Sequence, residues 1–505
     1  MDIKKILAGA KGSESGIYRS ASPLAMILGC ATSGSKMVWY MLMAMTSYAA
    51  NEGFGIAVAV TGVIITIKSI FDGVSDPIVA GIFDRMKVGK HGKIRIFLWI
   101  GFAIQTLSAV LMFNVLAGKF KGVLGTAIYI IIYFLFVIGY TVQSIGGTSI
   151  PTMLTNDPVQ RPFMNFAQMV WRYLGPIVSS NIITFAVLPR YNDQYSLEML
   201  HEACFWYIGM AAIFLLLSTI GLSKVDTPEI LGEAISVGGK QKKVGIREMW
   251  ELVKDNKPLR CYVVTGVTDK IASNTGSQQI VLTMMNGILI ANYGAAQMVN
   301  NASTIIGFIF AFLGGIYIAR FGCKQATTVW SAVSIAINVV VFAVCIILGP
   351  TGMAKIGEGG ALMMMYVVLQ MAKTAGGMIL STAEGMMRAD ITDYELDRSG
   401  AYMPGTVGAV YTFIEKIVAS LGATIASFAV AAIGYKDVMP QKGDPATWPI
   451  LWVTMFLMCG MPVIGWICNI VAMRFYELDK NRMVEIQTSV AEKKKAAKAA
   501  MKAEK

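Results

Sequence analysis

Apolar runs long enough to cross a bilayer recur along this chain, and no other feature of the sequence limits its fold so strongly. About 20 apolar residues span the hydrocarbon core as a helix. Runs of spanning length fall at 22–50, 56–83, 96–118, 123–150, 164–188, 202–223, 261–291, 296–319, 327–349, 361–385, 404–433 and 450–475. At that depth no water is present to satisfy backbone N–H and C=O groups, so each run must close its own hydrogen bonds as a helix. The expected fold class is an all-α membrane protein with twelve transmembrane helices. The chain is 55% hydrophobic and 15% charged, against about 25% charged in ordinary soluble domains. Its 50 Gly and 33 Met suit membrane helices that approach closely and fill irregular gaps.

Lys and Arg set the expected orientation. With both termini cytoplasmic, 31 of the 43 fall in inner segments and six in outer loops, as the positive-inside rule requires. This asymmetry accounts for the net charge of +12 without a nucleic-acid partner. The opening Met1-Asp2-Ile3-Lys4-Lys5 and the polar residues after it do not read as a signal peptide. The expected location is the cell membrane, with multiple passes. A long inner segment, 224–260, separates expected six-helix bundles at 1–223 and 261–478, and 479–505 is a basic tail, expected as a frayed, solvated helix held loosely against anionic lipid. Within the inner segment, Ile246, Met249, Trp250 and Val253 recur at helical spacing between charged residues, the pattern of an amphipathic helix on the membrane surface. The halves echo each other. Thr155 and Arg161 follow the fourth span as Thr392 and Arg398 follow the tenth, and the basic loop after the second span returns in shorter form at Ile318 to Lys324. Duplicated helical units are the mark of secondary transporters, whose binding site lies at mid-membrane between the repeats.

Lys68, Asp72 and Asp76 recur every four residues in the second span and so share one helix face. A carboxylate at mid-bilayer costs at least about 2.5–3.5 kcal/mol. The stripe must therefore face a watered, protein-walled space and hold a cation or a proton. The plainer reading is a structural ion pair with Lys68 or Lys416, which stabilises little. Lys68 divides between a resident cation, which replaces Na⁺ or favours proton coupling, and a side chain that snorkels. Solute contact and interhelical hydrogen bonding compete in the same way for Ser33, Ser35, Lys36, Gln143, Ser144, Trp171 and Arg172. They compete also for Asp269, Lys270, Asn274, Ser277, Gln278 and Gln279 in the seventh span, and for Gln370, Lys373 and Glu384 in the tenth. An aromatic ring beside polar donors suits a sugar, and Lys36, Arg172 and Lys373 suit a carboxylate such as a hexuronate's. Arg161, Asp390, Asp393 and Arg398 lie at inner helix ends, placed either for gating salt bridges or as solvated loop charges. Seven Cys without paired spacing and two His read as free thiols with no metal centre, and no nucleophile–base pair suggests an enzyme.

Several motifs in order resemble one known family. Phe71-Asp72-Gly73-Val74-Ser75-Asp76-Pro77, the loop Gly92-Lys93-Ile94-Arg95, Tyr140-Thr141, the run Ala389 to Tyr394, and Lys416 are together similar to the glycoside-pentoside-hexuronide:cation symporters, the melibiose permease family of the major facilitator superfamily. The resemblance covers essentially the whole chain. It implies the major facilitator fold, two pseudo-symmetric six-helix bundles, and alternating-access symport of a sugar with Na⁺, Li⁺ or H⁺. It implies that Asp72 and Asp76 bind the coupling ion, that Thr141 adds a hydroxyl oxygen, and that Lys416 lies near this site. Two carboxylates and a hydroxyl are suitable ligands for a hard cation, if that cation is Na⁺. The sugar-binding positions depart from the family. Its acidic residues on the first and fourth spans fall at Gly34 and Ser144, its aromatic platform at Thr148, and its fifth-span arginine near Met169, almost one turn from Arg172. The partners expected are a small solute, a monovalent cation and membrane lipid, with no cofactor and a monomer as the working unit. A carrier of an anionic or amphipathic solute (lipid or drug) and a non-transporting membrane sensor are the alternatives.

Overall fold

A computed structural model describes residues 21–86, 89, 92–155, 160–223, 225–227, 253–399 and 404–503. They form two compact units, one drawn from Met1–Gln241 with Tyr435–Gln441 and the other from Lys242–Gly434 with Lys442–Lys505. The first unit contains α1 (Pro23–Gly29), α2 (Thr32–Tyr48), α3 (Val58–Arg85), α4 (Ile94–Val110), α5 (Gly122–Leu154), α6 (Arg161–Ile182) and α7 (Leu197–Leu222). The second contains α8 (Lys257–Gly276), α9 (Gln279–Thr283), α10 (Tyr293–Phe321), α11 (Cys323–Gly357), α12 (Gly360–Ser399), α13 (Pro404–Ala432), α14 (Trp448–Met455), α15 (Met461–Phe475) and α16 (Lys480–Ala503). This is the expected all-α membrane architecture.

Among the described residues, nine helices are long and apolar enough to cross a membrane. The expected spans at 22–50, 164–188 and 261–291 are not among them. The first is broken at Cys30-Ala31 between α1 and α2, and the last stops at Gly276 and restarts at Gln279. The middle one, α6, carries Asn165, Gln168, Arg172, Ser179, Ser180 and Asn181. Counting apolar runs overlooks such breaks and polar faces. The tenth span also runs further than expected, as the 40-residue α12, so Asp390, Asp393 and Arg398 stand on a helix and not in a loop after it. Pro350, which lacks an N–H and clashes with the preceding turn, accompanies the kink of α11 at Gly349, whose φ is +68°.

The duplication is visible in the packing. In the first unit α3 and α4 both pack on α5, while α6 and α7 pack on α2; in the second, α10 and α11 pack on α12, while α13 and α15 pack on α8. The basic tail departs from expectation. Met483, Ile486 and Val490 on α16 are buried in the core of the second unit, and Ser489 donates to Asp397 at 2.7 Å. The Lys-rich composition of the tail concealed this short apolar stripe. Of the proposed amphipathic helix, Ile246, Met249 and Trp250 lie outside the described residues, and Val253 packs against the same core.

Tyr435–Gln441 belongs to the first unit although it lies between α13 and α14 in the chain. Asn51 holds it, donating to the Asp437 carbonyl at 2.8 Å and accepting from the Met439 N–H at 3.0 Å. Tyr48 donates to the Pro440 carbonyl at 2.8 Å. Beside this strap, burial pushes the Glu52 carboxyl above its ordinary range, opposed by its hydrogen bond to Gln441 and reinforced by Glu198. A carboxyl raised in the folded state favours folding at acid pH, and that contribution is lost as pH rises through the folded value. Glu52→Gln should therefore melt at the wild-type temperature below about pH 4 and above it at neutral pH. Equal melting at both pH values would show that Glu52 is solvated in the fold.

Candidate functional site

The charged face of α3 is set against protein by its opposite, apolar face. Ile70, Val74, Ile78 and Ile82 are 43–60% exposed, forming a lipid-facing stripe about half a turn away from Lys68, Asp72 and Asp76. The aspartates consequently turn inward, half-buried, towards α5. Phe71 stacks on Phe134 of α5 with ring centres 4.6 Å apart, which fixes the register of the two helices. Thr141, buried on α5, then donates its hydroxyl to Asp72 Oδ1 at 2.9 Å. Asp76 follows one turn later, and Pro77, lacking an N–H, frees the carbonyl of Gly73. Lys68 places its ammonium 3.1 Å from the Met43 sulfur of α2.

A second contact lies one turn along α5. Lys36 of α2 donates to Ser144 Oγ at 2.6 Å, and its Nζ stands 5.4 Å from the centre of the Tyr140 ring. Tyr140 is within electrostatic range of Asp72, Asp76 and Arg172. Three neighbouring α5 residues, Tyr140, Thr141 and Ser144, thus link the carboxylate stripe to Lys36. At Gly34 a Cβ would lie 3.3 Å from the Trp171 carbonyl of α6, so the position serves close helix packing.

The decisive finding for identity is a match over residues 27–480 to the family model of MFS/sugar transport proteins. The chain belongs to the MFS/sugar transport family. It is 20% identical over 464 residues to YagG of Escherichia coli (strain K12), a protein named as a glycoside/cation symporter, covering 91% of this chain and 92% of that one. To the uncharacterized symporter YjmB of Bacillus subtilis (strain 168) it is 23% identical over 400 residues, covering 75% and 77%. Among solved structures, the nucleoside transporter NupG shares the fold with a TM-score of 0.59 at 11% identity, covering 89% of this chain and 98% of NupG. A proton-dependent oligopeptide transporter does so with a TM-score of 0.54 at 14% identity, covering 92% and 99%. The molecule is accordingly a multi-pass membrane transporter of the major facilitator superfamily.

The other expected site residues of this MFS transporter are distributed less compactly. Gln143 is fully buried in a chain in which Gln105 donates to Gln143, Gln143 to Ser35, and Ser35 to the Ala211 carbonyl, at 3.0, 3.0 and 2.9 Å; it joins helices. The Trp171 indole donates to the Ile27 carbonyl at 2.7 Å and meets Phe214 edge-on, also a packing arrangement. Arg172 is exposed and Ser33 half-buried. In the second unit, Asn274 donates to the Ala419 carbonyl at 2.6 Å, and Gln278 to the Asn274 carbonyl at 3.0 Å across the break after α8. Lys373 donates to the Met458 carbonyl at 2.7 Å, one turn from the half-buried Gln370. Lys416 stands on α13 beside Glu415, which pairs with Lys270 at 3.6 Å. Arg398 is engaged with Glu395 of its own helix at 3.0 Å, and Glu395 also accepts from Asn256 at 2.8 Å. Asp390 and Asp393 lie on the same helix, and Arg161 begins α6.

Two features escaped sequence reasoning. Asp226, only 1% exposed, accepts from the Lys93 and Arg95 N–H groups at 3.0 and 2.8 Å. Gly92 in this loop has φ +83°, and a Cβ on it would overlap the Asp226 carboxylate. The Gly92-Lys93-Ile94-Arg95 motif was legible, and a lone carboxylate just beyond the sixth span was the signal for its partner. In the second unit, Tyr411 donates to Glu384, which the sequence singles out in the tenth span without this partner, while Arg388 donates to Tyr262 at 3.2 Å and lies over the Tyr411 ring. These residues come from three helices, so no local spacing joins them.

Proposed function

We propose that this transporter carries a sugar (a glycoside, pentoside or hexuronide) into the cell together with Na⁺ or H⁺. The observation that carries this reading is the Thr141 hydroxyl on Asp72, with Asp76 one turn along the same inward face. Two carboxylates and a hydroxyl on adjoining helices offer a monovalent cation oxygen ligands or offer a proton an acceptor, and they share a face that lipid cannot accept. The symporter names of the relatives support coupling to an ion, and the printed name of YagG supports a glycoside as solute. Cation binding neutralises Asp72 and Asp76, which lowers the cost of enclosing them. By linkage, whatever the cation adds to solute affinity the solute adds to cation affinity. In this scheme Lys416 tunes the ion site, and Arg161, Asp390, Asp393 and Arg398 gate the inner side. The protein acts as a monomer in the cell membrane with both termini cytoplasmic.

One observation favours an acidic sugar over a neutral one. Where the family places an acidic sugar ligand, Ser144 is held by the ammonium of Lys36 beside Tyr140. A hexuronate carboxylate would pair with Lys36, and Arg172 interacts electrostatically with the same Tyr140. Proteoliposomes of the purified protein, offered labelled glycosides, pentoses and hexuronates under imposed Na⁺ or H⁺ gradients, test both levels. Gradient-driven uptake of a sugar supports symport, and absence of counterflow for every sugar class would overturn it. Ser144→Ala should change solute affinity several-fold with the ion response unaltered. A change confined to the ion response would place Ser144 in the cation site.

A further inference from the structure

The second unit holds a further inward carboxylate outside the site just described. Asp269, half-buried on α8, lies two turns within a helix whose partners are α13 and α15. The amide of Asn469, itself fully buried on α15, donates from Nδ2 to both carboxylate oxygens at 3.0 Å. The other end of that amide is also occupied: Thr268 places its hydroxyl 3.2 Å from Asn469 Oδ1 and 2.9 Å from the Val264 carbonyl. Gly465 allows this close approach, since a Cβ there would lie 3.2 Å from the Thr268 carbonyl. The charged groups facing this region are Glu384 on α12 and Lys270 on α8, with Arg388 on α12 and Glu415 on α13 grouped around Glu384 and the Cys468 thiol beside Asn469 on α15. Lys270 is paired with Glu415 at 3.6 Å, and Tyr411 donates to Glu384. The direct partner of Asp269 is thus a neutral amide.

We propose that Asp269 is a proton-binding site of the second unit and that Asn469 turns over each time the proton enters or leaves. With Asp269 ionised, the Asn469 N–H groups point at the carboxylate and its carbonyl accepts from Thr268. When a proton from solution binds a carboxylate oxygen, Asp269 becomes a donor and needs an acceptor. A half-rotation of the amide supplies one: Asp269 O–H donates to Asn469 Oδ1, Asn469 Nδ2 donates to Thr268 Oγ1, and the Thr268 hydroxyl donates to the Val264 carbonyl already within reach. Both states satisfy these polar groups, and the same three side chains hold them. Lys270, by contrast, remains tied to Glu415. This site does not depend on the role proposed for Asp72 and Asp76.

Infrared difference spectra of the purified full-length protein, recorded between acid and alkaline pH, read the proton directly and need no solute. Wild type should show a protonated-carboxyl band accompanied by an asparagine amide band. Asp269→Asn should lose one component of that carboxyl band, a component that Asp72→Asn keeps. Asn469→Val should keep the band at a shifted frequency and lose the amide change. Should Asp269→Asn fail to fold, wild type carrying carboxyl-labelled aspartate, compared with Asn469→Val, answers the same question through the isotope-shifted band. A carboxyl band undiminished in Asp269→Asn, or labelled bands indifferent to Asn469→Val, would overturn the proposal.

Discussion

Asp72→Asn is expected to remove the dependence of solute uptake on the coupling cation while leaving solute exchange measurable. The variant keeps an oxygen within reach of Thr141, whose hydroxyl donates to Asp72 at 2.9 Å, but it lacks the charge that attracts a cation into the span. Coupling between two ligands of one carrier amounts to about 1–3 kcal/mol, a factor of roughly 5–150 in affinity, and this factor should collapse towards one. The solute contacts proposed at Lys36 of α2 and at Ser144, one turn along α5 from Thr141, are separate from this carboxylate, so the residual exchange reports on them alone. Counterflow and gradient-driven accumulation, measured on the same proteoliposomes, separate the two effects. Accumulation that still responds to the cation in Asp72→Asn would place the ion elsewhere.

Asp226→Ala should be among the most destabilising single changes in the first unit. The carboxylate accepts two backbone N–H groups and stands 3.5 Å from Arg95 Nε, and the Arg95 guanidinium also donates to the Asp226 carbonyl at 3.1 Å. Truncation leaves the buried Lys93 N–H without its acceptor and Arg95 without its counter-charge. Removing one member of a buried, hydrogen-bonded pair costs about 3–5 kcal/mol, enough to lower the melting temperature by several degrees. Gly92→Ala should reproduce much of the loss, because its positive φ and the nearby carboxylate both exclude a Cβ. Thermal unfolding of the purified variants is the measurement, and an Asp226→Ala protein that melts with wild type would mean that this loop contributes nothing to folding.

The sequence alone carried the membrane class, the inward aspartate stripe and the family, because each follows from local rules. Hydropathy over about 20 residues reports burial in lipid, and a four-residue spacing reports a shared helix face. The second-span motif then names the family through residues adjacent in the chain. It could not foretell that the first span breaks into α1 and α2 and the seventh into α8 and α9, since a helix interrupted inside a bundle has the same average hydropathy as an intact one. Nor could it separate Gln143 and Trp171, which join helices, from Ser144, which meets Lys36. Polar residues in spanning helices look alike until the neighbouring helix is placed, and the placement depends on contacts as distant as Phe71 with Phe134 or Gly34 with α6. The strap at Asn51, the clamp on Asp226 and the amide on Asp269 join residues 386, 131 to 133, and 200 positions apart. Such pairs were decided by tertiary packing, for a hydrogen bond needs two groups within about 3 Å, and separation along the chain says nothing of that distance.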